Sequence, residues 1–380
     1  MIRKVTTRNY KSLAEVEVEL GRFTVLIGPN GSGKSNFVDV LRFVRDAVMW
    51  GVDAAVVRRG GFSRILHPRA RTLDRKDRPL RIEVHIELST GKPALYELEL
   101  DAEETGGYRL LRERLRASAD ESEDEFEVAE GRLVRVPIML RPLLEQVEFP
   151  PMSGLVLPTL AWGWRAALEV WQTLQGMRFF HPTPLVIRTS LAMPVFFVAP
   201  PPLWEYGENL SHVLWKLHKN SPEAFAKISE ALEHLIPGFV GLHPQDEAVE
   251  IEREGVRLNL WQESDGTLRL VAIVTALYEE PSARLLLAIE EPELTVHPEA
   301  LAVLVDLLLE RSATGQVIVT THSPDLLNRL PAEVLRVVEW ERGETKIGPL
   351  EPDQRSVIEE KYFKMGDLLR LEGLRRELPT

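Results

Sequence analysis

The sequence predicts an α/β fold: a mixed, largely parallel sheet covered by helices, with an antiparallel β-meander and a helical region inserted into it. Three observations lead there. "FTVLIGPNGSGKSNFVDVL" reads as a strand, a glycine-rich turn and a helix in succession. "RIEVHIEL", "ALYELELD" and "YRLLRERL" alternate apolar and polar residues between Gly, Pro or acidic turns, which is the pattern of antiparallel strands. The last third returns to apolar strands alternating with helix, the order that a helix-covered parallel sheet requires.

Each element follows from its local pattern. "EVEVELG" and "FTVLIG" are strands joined by a turn at Gly21. Gly33 to about Val48 forms a helix with Phe37, Val40, Leu41 and Val44 on one face. Residues 137 to 202 are rich in Pro and Trp; "LAWGWRAALEVWQTL" reads as one helix and "PVFFVAPPP" as a strand stopped by its prolines. Residues 207 to 236 form two amphipathic helices broken at Ser221-Pro222, with Trp215 and Phe225 as core residues. "ARLLLAIE", "GQVIVTT" and "EVLRVVEW" are buried strands, with the helix "PEALAVLVDLLLERSA" between the first two. "MGDLLRLEGLRREL" closes the chain as a short helical tail.

Composition narrows the function. An apolar content of 44% over 380 residues suits a globular chain with a sizeable core. No uninterrupted apolar run reaches the length of a membrane span, and the N-terminus lacks the apolar core of a signal peptide. The absence of cysteine excludes disulfides, thiolate metal sites and cysteine nucleophiles. A cytoplasmic location without membrane contact is expected. The net charge of −12 argues against a chain that coats nucleic acid over its whole surface. Residues 58 to 81 nevertheless carry nine Lys/Arg against two Asp, and either a solvated loop or a phosphate-backbone patch accounts for them. Residues 120 to 130 hold seven acids and no base, the composition of a solvated hairpin tip or loop.

Five stretches carry chemistry. In "GPNGSGKSN" the glycines let the backbone turn tightly and aim N–H groups at phosphate oxygens, and the following helix offers its positive end. Asn30, Gly31, Ser32, Gly33, Lys34, Ser35 and Asn36 form this cradle. Lys34 neutralises the outer phosphates and Ser35 offers a hydroxyl to Mg²⁺. "LLLAIEEPE" places Glu290 and Glu291 at the end of a buried strand, Glu290 for the metal shell and Glu291 for polarising the attacking water. In "VIVTTHS", His322 lies just beyond another buried strand, within reach of the same site where the two strands are neighbours. In "ESDGTLRLVAIVTAL", Ser264 and Gly266 open a long apolar helix, with Asp265 as a local cap. "ELTVHPEA" joins the acidic pair to the next helix; its His297-Pro298 is either a plain helix start or a residue pair at a subunit junction.

Taken in order, "GPNGSGKS", "SDGTLR", "LLLAIEEPE", "LTVHP" and "TTHS" resemble the motifs of ATP-binding-cassette ATPases, and within them the RecF/SMC-like heads. The opening "TTRNYKSLAEVEVELGRF" is similar to the start of that group, and the resemblance covers about residues 1 to 50 and 200 to 350. It implies a P-loop ABC ATPase head that binds ATP and Mg²⁺. The head lobes would then be residues 1–57 and 239–350, with an insert at 58–200, a helical subdomain at 201–238 and a tail at 351–380. It also implies an ATP-dependent homodimer in which Ser264 and Gly266 of one copy face the phosphates held by the other. DNA, in repair or defence, is the implied substrate; a protein effector such as a nuclease is the alternative partner. Glu290 stands where relatives carry Asp, and Asp265 brings a negative charge into the signature. No Gln occurs between residues 36 and 145, which leaves His67 as a weak candidate for the residue linking nucleotide to insert.

Overall fold

The structure, a computed structural model, describes residues 1–74, 77–103, 107–118, 123–141, 154–192, 202–245, 248–279, 285–360 and 362–378. The chain divides into two compact units, one made of residues 1–177, 335–354 and 374–380, the other of residues 178–334 and 355–373. Elements are numbered along the chain.

In the first unit, β1 (Ile2–Tyr10) and β2 (Leu13–Glu19) form a hairpin, and β1 also pairs with β4 (Leu80–Glu87). The sheet continues through β5 (Pro93–Ala102), β6 (Tyr108–Ser118), β7 (Glu123–Ala129) and β8 (Arg132–Arg135), antiparallel throughout. Strict alternation sorts the residues between its faces. Val5, Val84, Tyr96, Leu115 and Phe126 are cross-strand neighbours on the buried face. The other face is a lattice of ion pairs: Arg81 bridges Glu83 at 2.6 Å and Glu97 at 3.0 Å, and Arg112 holds Glu127 at 3.0 Å. Beside this sheet, β3 (Phe23–Ile27) pairs in parallel with β15 (Leu335–Glu341), which pairs antiparallel with β16 (Glu344–Gly348). The helices of this unit include α1 (Lys34–Trp50), α2 (Val52–Val57), α3 (Phe62–Ile65), α4 (Leu157–Leu160) and α5 (Arg165–Gln175).

In the second unit, β9 (Arg178–Phe180), β13 (Leu286–Glu290) and β14 (Gln316–Thr321) lie parallel with β13 in the middle. Both β13 and β14 are near-continuous apolar runs, as strands covered on both faces must be. A smaller antiparallel sheet consists of β10 (Phe239–Pro244), β11 (Val249–Arg253) and β12 (Val256–Asn259). Around them run α6 (Pro184–Ala192), α7 (Leu210–Asn220), α8 (Pro222–Leu235), α9 (Asp265–Tyr278), α10 (Pro298–Thr314), α11 (Pro324–Leu327) and α12 (Met365–Leu371). The chain is thus α/β with mixed sheets, as the sequence predicts.

Several local expectations are corrected. The strands on either side of Gly21 are joined there as expected, and each takes its partner elsewhere: β2 goes to β1 and β3 to β15. The Trp-rich segment is two helices, because Trp164 between them takes an extended backbone at φ −131 and ψ 110 that no helix can run through. The acidic run is no solvated tip over its described part. Residues 123–129 are β7, in which Arg135 holds Glu125 at 2.7 Å and Asp124 accepts the Ile138 N–H at 3.0 Å. The tail helix stops at Leu371, before Gly373 in a left-handed conformation, and Arg376 then bridges to Leu350. The core of the expected strand "PVFFVAPPP", residues 194 to 201, lies outside the described residues.

Several described arginines of the basic run are paired within the chain. The Arg59 side chain is 6% exposed and its guanidinium spans Asp39 at 2.8 Å and Asp46 at 3.1 Å, both on α1. Arg69 pairs with Glu344, Arg78 with Asp101 at 2.7 Å, and Arg58 stacks on Trp50 at 3.9 Å. Burial works to raise the Asp39 carboxyl, but the Arg59 guanidinium and the Lys11 ammonium outweigh it and hold Asp39 well below the usual carboxylate range.

Candidate functional site

One candidate region, in the first unit, is the turn between β3 and α1. Gly28 passes so close to β15 that a Cβ would lie 2.0 Å from the Val338 carbonyl oxygen. Gly33, at φ 108, is in a conformation that favours glycine, and a Cβ there would meet the Thr345 hydroxyl at 2.1 Å. The Lys34 ammonium curls back over the turn and donates to the carbonyls of Gly28 at 2.7 Å and Pro29 at 3.0 Å. Asn30, Gly31 and Ser35 are exposed, whereas Ser32 and Lys34 are buried.

A chain of hydroxyls braces this turn, and its direction can be assigned. The single Thr345 hydroxyl proton goes to the Ser32 carbonyl at 2.8 Å, so Thr345 accepts from Ser12 at 2.7 Å. Ser12 in turn accepts from the Asn36 amide at 2.7 Å. Asn36 therefore reaches the turn through Ser12 and Thr345. Neither hydroxyl is marked by any local motif.

The turn fits a phosphate group. Helix α1 begins without a side-chain cap and without an acidic residue in its first turn, so no side-chain cap takes up its first N–H groups. By contrast Ser264, His297 and Ser323 cap α9, α10 and α11. An uncapped helix N-terminus attracts an anion. The Ser32 hydroxyl is also buried without a hydrogen-bond partner among the described residues. His67 offers no link from here to the insert: it is buried, its Nδ1 accepts the Arg69 N–H at 3.2 Å, and burial lowers its pKa.

A second candidate region, in the second unit, lies at the C-terminal ends of β13 and β14. Their parallel register sets Glu290 beside Thr320. Glu291 follows at φ 47, an uncommon backbone for a residue with a side chain, and its N–H is fixed by the Thr320 carbonyl at 2.9 Å. This conformation brings the Glu291 carboxylate to 2.8 Å from Nε2 of His322. Glu293 fixes the other side: one carboxylate oxygen accepts the Thr321 hydroxyl at 2.5 Å and the His322 N–H at 3.1 Å. Sequence reasoning quoted Glu293 but assigned it nothing; its place directly after Pro292, on the same turn, was the available signal.

Ser264 and Gly266 open α9 in this same unit. Ser264 is exposed and is itself the cap, accepting the Thr267 N–H at 3.1 Å. The expectation that Asp265 caps is corrected: Asp265 is the first helical residue, and Arg188 of α6 holds its carboxylate at 2.5 Å. The same guanidinium binds the Glu263 and Trp261 carbonyls, so the extra negative charge of the signature is neutralised within the chain. A Cβ on Gly266 would lie 2.3 Å from the Thr295 carbonyl oxygen, so only glycine lets the helix start this close to the loop after Glu291. His297 is exposed and caps α10 as a helix start.

No cluster of three or more His, Asp or Glu side chains able to hold a metal occurs among the described residues. Mg²⁺ does not need one where it binds through one carboxylate, one hydroxyl and phosphate oxygens. No helix among the described residues is long and apolar enough to cross a membrane.

Comparison with known proteins agrees with this geometry. The family described as "AAA domain, putative AbiEii toxin, Type IV TA system" matches residues 23–138 and 202–328, more than half of the chain. The chain is 35% identical over 108 residues, 28% of its length, to Structural maintenance of chromosomes protein 4 of Caenorhabditis elegans. It is 43% identical over 44 residues, 11% of its length, to Chromosome partition protein Smc of Methanocaldococcus jannaschii. These alignments span only 6% and 4% of the relatives' own lengths. Among solved structures, an SMC head bound to the C-winged helix domain of ScpA superposes with a TM-score of 0.57 at 15% identity, covering 93% of this chain and 99% of that one. The Smc head with an extended coiled coil, bound to the C-terminal domain of ScpA derived from Pyrococcus furiosus, gives 0.51 at 14% identity, covering 95% and 99%. With the motifs, the mixed-sheet fold and the family match in agreement, the chain belongs to this AAA-domain family and has the fold of the SMC heads.

Proposed function

We propose that the chain is a cytoplasmic, Mg²⁺-dependent ATP hydrolase that closes as a head-to-tail homodimer around two ATP molecules and uses that closure to act on a partner. The observation that carries this reading is the pairing of Glu291 and His322 at 2.8 Å on the ends of two adjacent parallel strands. Such a pair can take a proton from an attacking water and hold it away from the carboxylate. In this reading the Gly28–Ser35 turn and Lys34 bind the triphosphate, and Ser35 and Glu290 hold Mg²⁺, which supplies charge neutralisation on the phosphates when bound. Exposed Ser264 and the closely packed Gly266 meet the phosphates of the second copy. Each active site is then complete only in the dimer, and turnover opens what binding has closed.

DNA, in repair or defence, is the first reading of the partner, supported by the chromosome-associated relatives. One observation favours a second reading, a protein partner: Arg59, Arg69, Arg78 and Arg81 of the basic run are committed to carboxylates of this chain. The solved heads that carry a ScpA domain support the same alternative.

Glu291→Gln tests the core of the proposal. ATP binding is expected to persist while kcat falls by about 10³-fold, within the range for removal of a general base. Size-exclusion chromatography is expected to show a long-lived dimer with ATP and none without it. A Glu291→Gln protein that remains monomeric at high concentration with saturating ATP rejects the dimer; one that turns over normally rejects Glu291 as the base. DNA binding that requires ATP and weakens steeply with salt separates the first partner reading from the second.

A further inference from the structure

The Arg269 side chain is the least expected feature of the second unit. It lies five residues into α9, on the buried side of the helix that Ser264 begins, and is 4% exposed. A buried guanidinium ordinarily takes a carboxylate fork. Here the hydrogen bonds go to two carbonyls from different elements: that of Pro182, just after β9, at 2.5 Å, and that of Glu291, just after β13, at 2.9 Å. Burial alone lowers the Arg269 pKa, and the nearby Glu291 and Glu293 carboxylates partly offset this.

The bond to Glu291 falls at a sensitive point. The Glu291 peptide is held in the left-handed region on both sides: its N–H donates to Thr320, and its carbonyl accepts from Arg269 at 2.9 Å and from the Leu294 N–H of its own turn at 3.2 Å, so that Arg269 is the contact that ties the turn to α9. That conformation directs the carboxylate to His322. A relaxed, right-handed Glu291 would swing the carboxylate away, and misplacement by about 1 Å is enough to cost about 100-fold in rate.

We propose that Arg269 is a positioning residue for hydrolysis, a rigid strut from the signature helix to the backbone of Glu291, through which the position of Ser264 is transmitted to the carboxylate that activates water. Contact at Ser264 moves a helix start already seated against the Thr295 carbonyl through Gly266. Five residues on, the same helix carries the guanidinium that fixes the Glu291 peptide. Docking of the second copy's phosphates on one end of α9 thereby sets the geometry of the carboxylate at the other. Lysine cannot replace this strut, because a single ammonium on a flexible stem does not span two carbonyls held in different directions.

This inference rests on the assignment of Glu291 as the base, so Glu291→Gln is run beside Arg269→Lys and Arg269→Gln in the full-length chain. For the Arg269 variants, a fluorescent ATP analogue is expected to bind within about twofold of wild type while kcat falls by about 100-fold and KM stays level. The double variant Arg269→Lys/Glu291→Gln is expected to be no slower than Glu291→Gln alone, since the strut acts only through that carboxylate. Wild-type turnover in Arg269→Lys, with Glu291→Gln inactive, overturns the strut and leaves the base in place. Normal turnover in Glu291→Gln instead removes the reading beneath it. If both Arg269 variants lose nucleotide binding and thermal stability together with turnover, or fail to fold, Arg269 belongs to the core alone and the proposal is overturned.

Discussion

Thr345→Val tests whether the phosphate turn is held in shape from outside its own motif. Valine keeps the shape of threonine and removes the hydroxyl that donates to Ser32 O at 2.8 Å and accepts from Ser12 at 2.7 Å. Thr345 is fully buried and Ser32 is 1% exposed, so water does not readily replace the lost bond. Each such bond contributes about 1 kcal/mol net, and the two together about 2 kcal/mol. If that stabilisation acts on the turn in its nucleotide-binding shape, ATP affinity falls by about 30-fold. Calorimetric titration of ATP measures the effect, with Thr345→Ser as the control that keeps the hydroxyl and binds like wild type. Thermal unfolding without nucleotide separates a loss at the turn from a loss of the whole unit. An affinity within about threefold of wild type in Thr345→Val refutes the reasoning, because the hydroxyl chain would then not restrain the turn at all.

Two further outcomes follow from buried carboxylates. Asp39→Asn leaves Arg59, whose side chain is 6% exposed, short of its main counter-charge, and about 3–5 kcal/mol of stability at neutral pH is expected to go; urea unfolding checks it, and a loss under about 1 kcal/mol counts against the network. Because the native Asp39 carboxyl sits well below the usual range, wild type keeps this contribution until the pH falls below that range. Glu113 has the opposite sign: burial, only partly offset by the Val156 and Leu157 N–H groups and the Tyr96 hydroxyl, pushes it up to about 7. The native state therefore binds more protons than the unfolded one between about pH 4.5 and 7, and on the order of 3 kcal/mol of stability is expected to be lost as pH rises through that window. Unfolding curves at both ends of the window, for wild type and Glu113→Gln, show whether the dependence disappears with the carboxyl.

What the sequence discloses is whatever is written locally. The strands β4, β5 and β6 are period-two runs, and the break between α7 and α8 falls at Ser221-Pro222, where proline opens the second helix. The phosphate turn and the Glu290–Glu293 turn are legible because each confines its chemistry to a few consecutive residues. The residues that shape those turns are not local. Ser12 and Thr345 are 333 positions apart, Arg188 and Asp265 are 77 apart, and Arg269 meets the Glu291 carbonyl across 22. No periodicity announces such pairs, since they depend on which strand lies beside which and in what register. Partner choice at Gly21 has the same origin: sequence joins β2 to β3 there but does not say that β3 is taken up by β15, more than 300 residues later.

The basic run shows how far a charge pattern can mislead, and the reason bears on the partner. Nine cations in residues 58 to 81 read as a phosphate-binding stripe while their counter-charges are unknown. For four of the nine the fold supplies counter-charges from dispersed elements: Asp39 and Asp46 from α1 to Arg59, Asp101 and Glu97 from β5 to Arg78 and Arg81, and Glu344 from β16 to Arg69. An arginine already in such a pair must give up its carboxylate before it can release a counterion from DNA, and for Arg59, with a side chain 6% exposed, that exchange would break its bonds to both Asp39 and Asp46. The electrostatic drive toward a duplex from this run is therefore much smaller than its count of nine implies. With a net charge of −12 over the whole chain, long-range repulsion also opposes a polyanion. A DNA-acting form of this chain then relies on cations outside these four pairs or on a second protein, and a protein partner needs none of the four arginines to leave the carboxylate it already holds.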